Sequence, residues 1–219
     1  MEPITERAGV PAKELGVYHT KLHINLSIHD DASNAPLYFV NNSFWTRNTA
    51  DVTLHAGSDR TGPILGVAKY TPFSSDMKVG LGDPNAADIS GLYVTWEDVT
   101  KESKIKHSSY KWSMTLPGTY ERRSFTWKRT HHFGLENEGR TAKWAVTNFK
   151  LIDDQTREIV ANFANNGIKQ WKKMGKFVVR AEYGQEWELM VLLTVLAIIE
   201  KARRRERARR SGKGGGGGG

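Results

Sequence analysis

The chain contains no cysteine, which excludes disulfides, thiolate catalysis and cysteine metal sites and favours an intracellular setting. Its opening stretch, MEPITERAGVPAKEL, lacks a basic segment followed by an apolar one, so no secretion signal is expected, and Glu2 excludes myristoylation. The glycosylation sequons at Asn25 and Asn41 are therefore read as chance matches. Long apolar runs are scarce too. The strongest, Trp187 to Ile199, has 13 residues, roughly 20 Å of helix against about 30 Å of hydrocarbon. No GxSxG elbow and no convergent set of acid, base and nucleophile occurs, so the sequence predicts neither an enzyme nor a cofactor.

Charge is unevenly placed. The net charge is +8, but residues 201 to 219 hold eight Lys/Arg against Glu206, a local +7, and residues 1 to 200 are nearly neutral. A body without a basic stripe makes nucleic acid a poor expectation.

What the chain does have is alternation. Leu22, Ile24, Leu26 and Ile28 lie on one face of 21–29 and Lys21, His23, Asn25, Ser27 and His29 on the other, the period of a half-buried strand. Further strands are expected near 37–46, 51–56, 63–70, 76–81, 91–97, 109–116, 120–129, 141–152, 157–164, 168–172 and 176–182, separated by Gly, Pro, Asn, Asp and Ser clusters. Val52–Tyr70 and Phe149–Phe163 each read as strand, polar turn, strand, a hairpin signal that implies antiparallel pairing.

About a dozen short antiparallel strands avoid exposed edges by closing, and a wide barrel needs a filling. The run Leu-Met-Val-Leu-Leu at 189–193 makes its helix apolar on every face, so it belongs inside protein or lipid. Nine large aliphatic side chains between Leu189 and Ile199 would contribute on the order of 15–25 kcal/mol gross, against a net domain stability of about 5–15 kcal/mol. The expected architecture is mainly β: a flexible leader (1–16), a closed antiparallel barrel of about twelve strands (17–202) threaded by a hydrophobic helix at 185–202, and a basic, glycine-rich tail (203–219).

The order PLYFVNNSFW (36–45), VTLHAGSDRTGPILGVAKY (52–70), FTWKR (125–129), NFKLIDDQTREIVANF (148–163), KMGKFVV (173–179) and the apolar helix with its arginine-rich end resembles the tubby C-terminal-like superfamily. That superfamily includes tubby, LURP-one-related proteins and phospholipid scramblases, and the likeness is nearest to small tubby-like proteins of fungi. It covers roughly residues 18 to 205. Tubby binds phosphoinositide head groups through basic residues, so the resemblance implies a non-enzymatic module for anionic phospholipid, or an adaptor near membranes. Its basic site does not align onto particular positions of this chain.

Candidate contacts come from bases interleaved with aromatics, where charge attracts an anion and a ring anchors it. These are Arg122, Lys128 and Arg129 in YERRSFTWKR, Lys172, Lys173 and Lys176 in KQWKKMGK, and Arg203, Arg204 and Arg205 in the terminal run. Alternation turns Phe125 and Trp127 inward, which leaves Arg122 and Lys128 as outward cations roughly 20 Å apart; a third base, Lys172 or Lys176, is expected to complete a head-group site. KARRRERARR can also cap the helix dipole, hold an anionic membrane or address the chain to the nucleus. Deleting 203–219 is expected to preserve the fold. The expected location is cytoplasmic, with peripheral membrane or nuclear association as extensions; protein partners stay open. The rival arrangement puts residues 187–199 in lipid with the basic run cytoplasmic. Gly134–Thr141 fails as a phosphate loop because Arg140 replaces lysine and a strand follows. His131 and His132 read as part of a turn. His19 and His23, roughly 13 Å apart on a strand, read as unable to share a metal.

Overall fold

A computed structural model describes residues 5–6, 12–21, 23–43, 49–86, 94–102, 109–130, 148–165 and 172–213. The strands are β1 (Thr5–Glu6), β2 (Lys13–His19), β3 (Leu26–Asp30), β4 (Pro36–Asn42), β5 (Val52–Ala56), β6 (Ile64–Tyr70) and β7 (Met77–Leu81). They continue as β8 (Trp96–Lys101), β9 (Ser109–Thr115), β10 (Arg122–Arg129), β11 (Phe149–Asp153), β12 (Glu158–Asn165) and β13 (Lys173–Val179), and helix α1 spans Gln185–Lys213.

From β2 to β13 each strand pairs antiparallel with the next, and β13 pairs with both β12 and β2, closing a twelve-strand barrel. β1 runs parallel to β12 at Glu158 and Ile159, beyond the ladder with β13 that begins at Ala161. Alternation sets the inner face: Tyr110, Trp112, Phe125, Trp127 and Leu151 meet in register across β9, β10 and β11 and are all buried.

The helix fills the lumen. Residues Trp187 and Leu189–Ile199 are buried on every side, and strands from separate parts of the wall reach it. The Trp127 indole on β10 donates to Thr194 Oγ1 at 2.9 Å, and the Tyr70 hydroxyl on β6 donates to the Ala197 carbonyl at 3.0 Å. Gly66 on β6 is needed for this approach, since a Cβ there would lie 2.9 Å from Leu193 Cδ2. At the end where α1 begins, here the proximal end, Trp112, Phe125, Tyr183 and Trp187 stack with centroids 4.9–6.0 Å apart and plug the barrel. The run 187–199 is thus core, which removes the lipid-embedded rival; among the described residues no helix is long and apolar enough to cross a membrane.

Several boundaries differ from the sequence reading. The leader is shorter than 1–16, because Lys13–Gly16 already belong to β2, where Leu15 and Val17 are buried. The strand expected over 21–29 begins only at Leu26; His23 adopts φ 53° in a turn closed by His23 N–H donating to the Thr20 carbonyl. Both expected hairpins form, β5–β6 and β11–β12. The strand expected at 168–172, His131, His132 and the Gly134–Thr141 loop lie wholly or almost wholly outside the described residues.

Candidate functional site

The helix does not stop where its apolar run does. Ala, Arg, Lys and Glu are strong helix formers, so KARRRERARR carries α1 on to Lys213. The separate tail expected from 203 onward is therefore corrected: Arg203 to Ser211 leave the far, exit end of the barrel as a helical post. Cations suit this end, facing the negative pole of the helix dipole.

Depth sorts those cations. Lys201, 7% exposed, donates to the Asp76 carbonyl and sits 4.9 Å from the Tyr70 ring centroid. Burial, then repulsion from Arg205, lowers its pKa to about 8. Arg204 lies 4.8 Å from the centroid of the same ring and donates to Asp51 Oδ1 (2.5 Å), the Ser43 carbonyl (2.7 Å), the Asp51 carbonyl (3.0 Å) and Glu200 (3.3 Å). Glu200 is 2% exposed; burial raises its pKa, opposed by Arg203, Arg204 and Arg207 around it. Arg205 donates to the Ser74 carbonyl (3.3 Å) and Ser75 Oγ (3.1 Å). One turn further out Arg207, Arg209 and Arg210 are exposed, Arg210 holding the exposed Glu206 at 3.0 Å.

Arg203 NH2 lies 3.5 Å from His19 Nδ1, and the His19 and His23 rings stack at 5.2 Å. The separation of roughly 13 Å inferred for two positions on a strand is thus corrected, because the chain turns between them. Among the described residues no third ligand joins them to hold a metal. Burial, then Arg203, His23 and Arg207, lowers the His19 pKa to about 4. The His19 N–H donates to the carbonyl of Lys172, whose side chain is exposed at the same rim. Lys21, Lys172 and Arg209 have no carboxylate within ion-pair distance among the described residues, so this end carries a surplus of positive charge.

The other candidate residues are dispersed. Arg122 lies at the proximal end, held by both oxygens of Glu97. Lys173 is bound to Asp31 at 2.8 Å, and Lys176 to Glu14 at 2.8 Å and Asp31 at 3.1 Å, on the wall formed by β13, β2 and β3. Arg129 has the inward parity of Trp127, opposite Phe149, and so does not share the outer face of Lys128. Lys128 is outward and half-buried, and its neighbour is one the sequence reading missed. Register places Lys150 of β11 directly opposite it, with no carboxylate in ion-pair range of either among the described residues. Cross-strand pairs of like charge cost stability. No local signal marks Lys150, because opposition is a property of register.

Two other features were not legible beforehand. A groove of about 270 Å³ lies outside β4, β5 and β6, lined by Asn41, Thr53, His55, Lys69 and Asn85 among others; its one described cation, Lys69, lies 5.1 Å from the Trp96 ring. Among the described residues three large apolar side chains are exposed: Phe73 and Tyr120 fully, Ile24 partly. Phe73 (71–76 loop) and Ile24 (20–25 loop) belong to the exit end and Tyr120 to the proximal end. Phe73 also has φ 55°, a left-handed backbone that a bulky residue adopts at a cost of roughly 1–3 kcal/mol.

No protein-family model matches the sequence. No curated protein matches it. Among solved structures it is similar to the X-ray structure of a protein from Arabidopsis thaliana, at 14% identity, covering 86% of this chain and 90% of that one, with a TM-score of 0.49.

Proposed function

We propose that the protein is a non-enzymatic module of tubby-like type that binds anionic phospholipid head groups peripherally, with its exit end toward the membrane. The observation that carries this reading is the sorting of charge along α1. Cations near the rim are spent on Glu200, Asp51 and backbone carbonyls, whereas Arg209 beyond the rim and Lys172 and Lys21 on it have no carboxylate in reach among the described residues. Each base brought near an anionic leaflet contributes about 1 kcal/mol, and such charge is positioned here by the fold. The resemblance in sequence supports the same ligand class, and the Lys128–Lys150 pair offers a second, more local attraction for a phosphate on the wall near that rim.

The test is co-sedimentation with vesicles of phosphatidylcholine alone or mixed with phosphatidylserine or a phosphoinositide, across a salt series, beside a duplex DNA of matched charge. Binding to anionic vesicles that weakens with salt, and exceeds binding to DNA, is the expected result. Preference for DNA would assign the basic end to nucleic acid, and binding to neither would remove the reading.

A further inference from the structure

Among the described residues, the two large exposed apolar side chains of the exit end are arranged as no solvent-facing loop requires. Phe73 is 112% exposed at the tip of the 71–76 connection between β6 and β7. That loop is not slack. The Ser74 hydroxyl donates to Asp76 Oδ2 at 2.8 Å and accepts from the Asp76 N–H at 3.0 Å, while Arg205 and Lys201 of α1 grip the Ser74 and Asp76 carbonyls. Polar groups are thus folded inward onto the helix and the one aromatic is held out in water, on a left-handed backbone. This inverts the usual loop. Ile24, 38% exposed, tips the 20–25 loop between β2 and β3 at the same end, which is closed by the Thr20 N–H donating to the Asn25 carbonyl and pinned by Asn42 Nδ2 donating to the Ile24 carbonyl at 2.7 Å. Each loop carries a base beside its apolar tip, Lys21 in one and Arg205 against the other.

We infer that Phe73 and Ile24 are membrane anchors: with the exit end on an anionic bilayer, both side chains insert at the boundary between head groups and acyl chains, while Lys21, Lys172 and Arg209 meet lipid phosphates. The inference rests on the peripheral lipid-binding reading above and adds the inserting residues and the orientation, α1 pointing its C-terminus at the membrane. A bilayer fits better than a protein groove because the two tips sit on separate loops at the end where Lys21, Lys172 and Arg209 have no carboxylate in reach among the described residues, a charge complementary to an anionic leaflet. The proximal end supplies the contrast. Tyr120 is as exposed as Phe73, but the neighbouring cations Arg122 and Arg123 are held by Glu97, Glu121 and Asp153.

The absence of cysteine makes the test direct. Single-cysteine variants Phe73→Cys, Ile24→Cys and Tyr120→Cys each take one environment-sensitive fluorophore and are mixed with phosphatidylcholine vesicles with and without phosphatidylserine. A blue shift and protection from an aqueous quencher at 73 and 24, but not at 120, is the expected result. In parallel, Phe73→Asn, a residue tolerant of that backbone, should keep the wild-type unfolding midpoint or raise it, and should weaken vesicle binding in high salt roughly tenfold. Sedimentation of wild type with labels at 73 and 24 still in water overturns the anchors and leaves lipid binding standing, as does a shift at 120 instead. Failure of wild type to sediment overturns both.

Discussion

Arg204→Met separates the cations that hold the fold from those offered to a ligand. Methionine keeps the apolar stem while removing the guanidinium and its cation–π contact with Tyr70. Asp51 Oδ1 then loses its 2.5 Å partner and Glu200, 2% exposed, loses its bond from Nε, although Arg203 and Arg207 remain 3.8 Å away. Breaking a fully buried pair from one side costs about 3–5 kcal/mol, and a surface pair contributes about 0–1 kcal/mol. Arg204 and Asp51 keep 20% and 26% of their side-chain surface in water, so the expected loss is about 2–3 kcal/mol, a large part of a typical total of about 5–15 kcal/mol. Urea titration should show a lower midpoint at unchanged slope. Arg209→Met, which removes an exposed cation with no carboxylate in reach among the described residues, should stay within about 0.5 kcal/mol of wild type. Vesicle affinity should reverse the order, falling for Arg209→Met and holding for folded Arg204→Met. Equal stability of the two variants would refute the sorting of charge by depth.

Leu196→Asp places a carboxylate at a 2% exposed site in the lumen and should abolish soluble expression; a folded, soluble variant would contradict the threaded barrel. His19 makes stability depend on pH with a definite sign. The unfolded chain binds its proton near pH 6.5 and the folded chain only near 4, so stability falls as pH drops through that window, by about 3 kcal/mol at most and, discounted for a ring half in water, on the order of 1–2 kcal/mol, and His19→Gln should flatten the slope measured by denaturation at each pH. Lys128→Glu turns a like-charge cross-strand pair into an ion pair with Lys150 and should leave stability unchanged or raise it by about 0.2–1 kcal/mol. In vesicle assays the same variant should lose discrimination among anionic lipids.

The barrel was legible because closure follows from pattern: inward positions such as Tyr110, Trp112 and Met114 on β9, and Phe125 and Trp127 on β10, alternate with polar residues, and only one segment is apolar on all faces. Where the pattern was short or ran on, it misled. Leu15 and Val17 give too few alternations to announce a strand, and β2 exists because β3 and β13 pair with it on both sides. Leu22 and Ile24 alternate in step with Leu26 and Ile28, yet a left-handed backbone at His23 ends the pattern. The candidate site was less legible because charge is a local property and neutralisation is not. Arg204 is 153 positions from Asp51 and Lys173 is 142 from Asp31, so composition registers the bases and misses their partners. The Phe73 loop likewise reads as an ordinary turn until the helix that grips it is in place.

One continuous helix serving as both core and display changes where the chain can be cut. Removal of 203–219, expected from the sequence to spare the fold, would take away Arg203, Arg204 and Arg205, leaving Glu200 buried without its arginines and the Ser43–Asp51 and Ser74–Ser75 rims without their clamps. By the reasoning applied to Arg204, that truncation costs several times about 1 kcal/mol and its effect on binding could not be read. The separable boundary lies after Arg205. Deleting 206–219 removes Arg207, Arg209, Arg210 and Lys213 against Glu206 while every described bond from Arg203, Arg204 and Arg205 to the barrel stays. Near-wild-type unfolding with weaker, less salt-dependent vesicle binding is expected for that variant, and loss of stability for the longer deletion. Two truncations of equal stability would mean that the clamps contribute nothing, and undiminished binding by the shorter form would shift the lipid contact to the rim residues Lys21, Lys172 and Phe73.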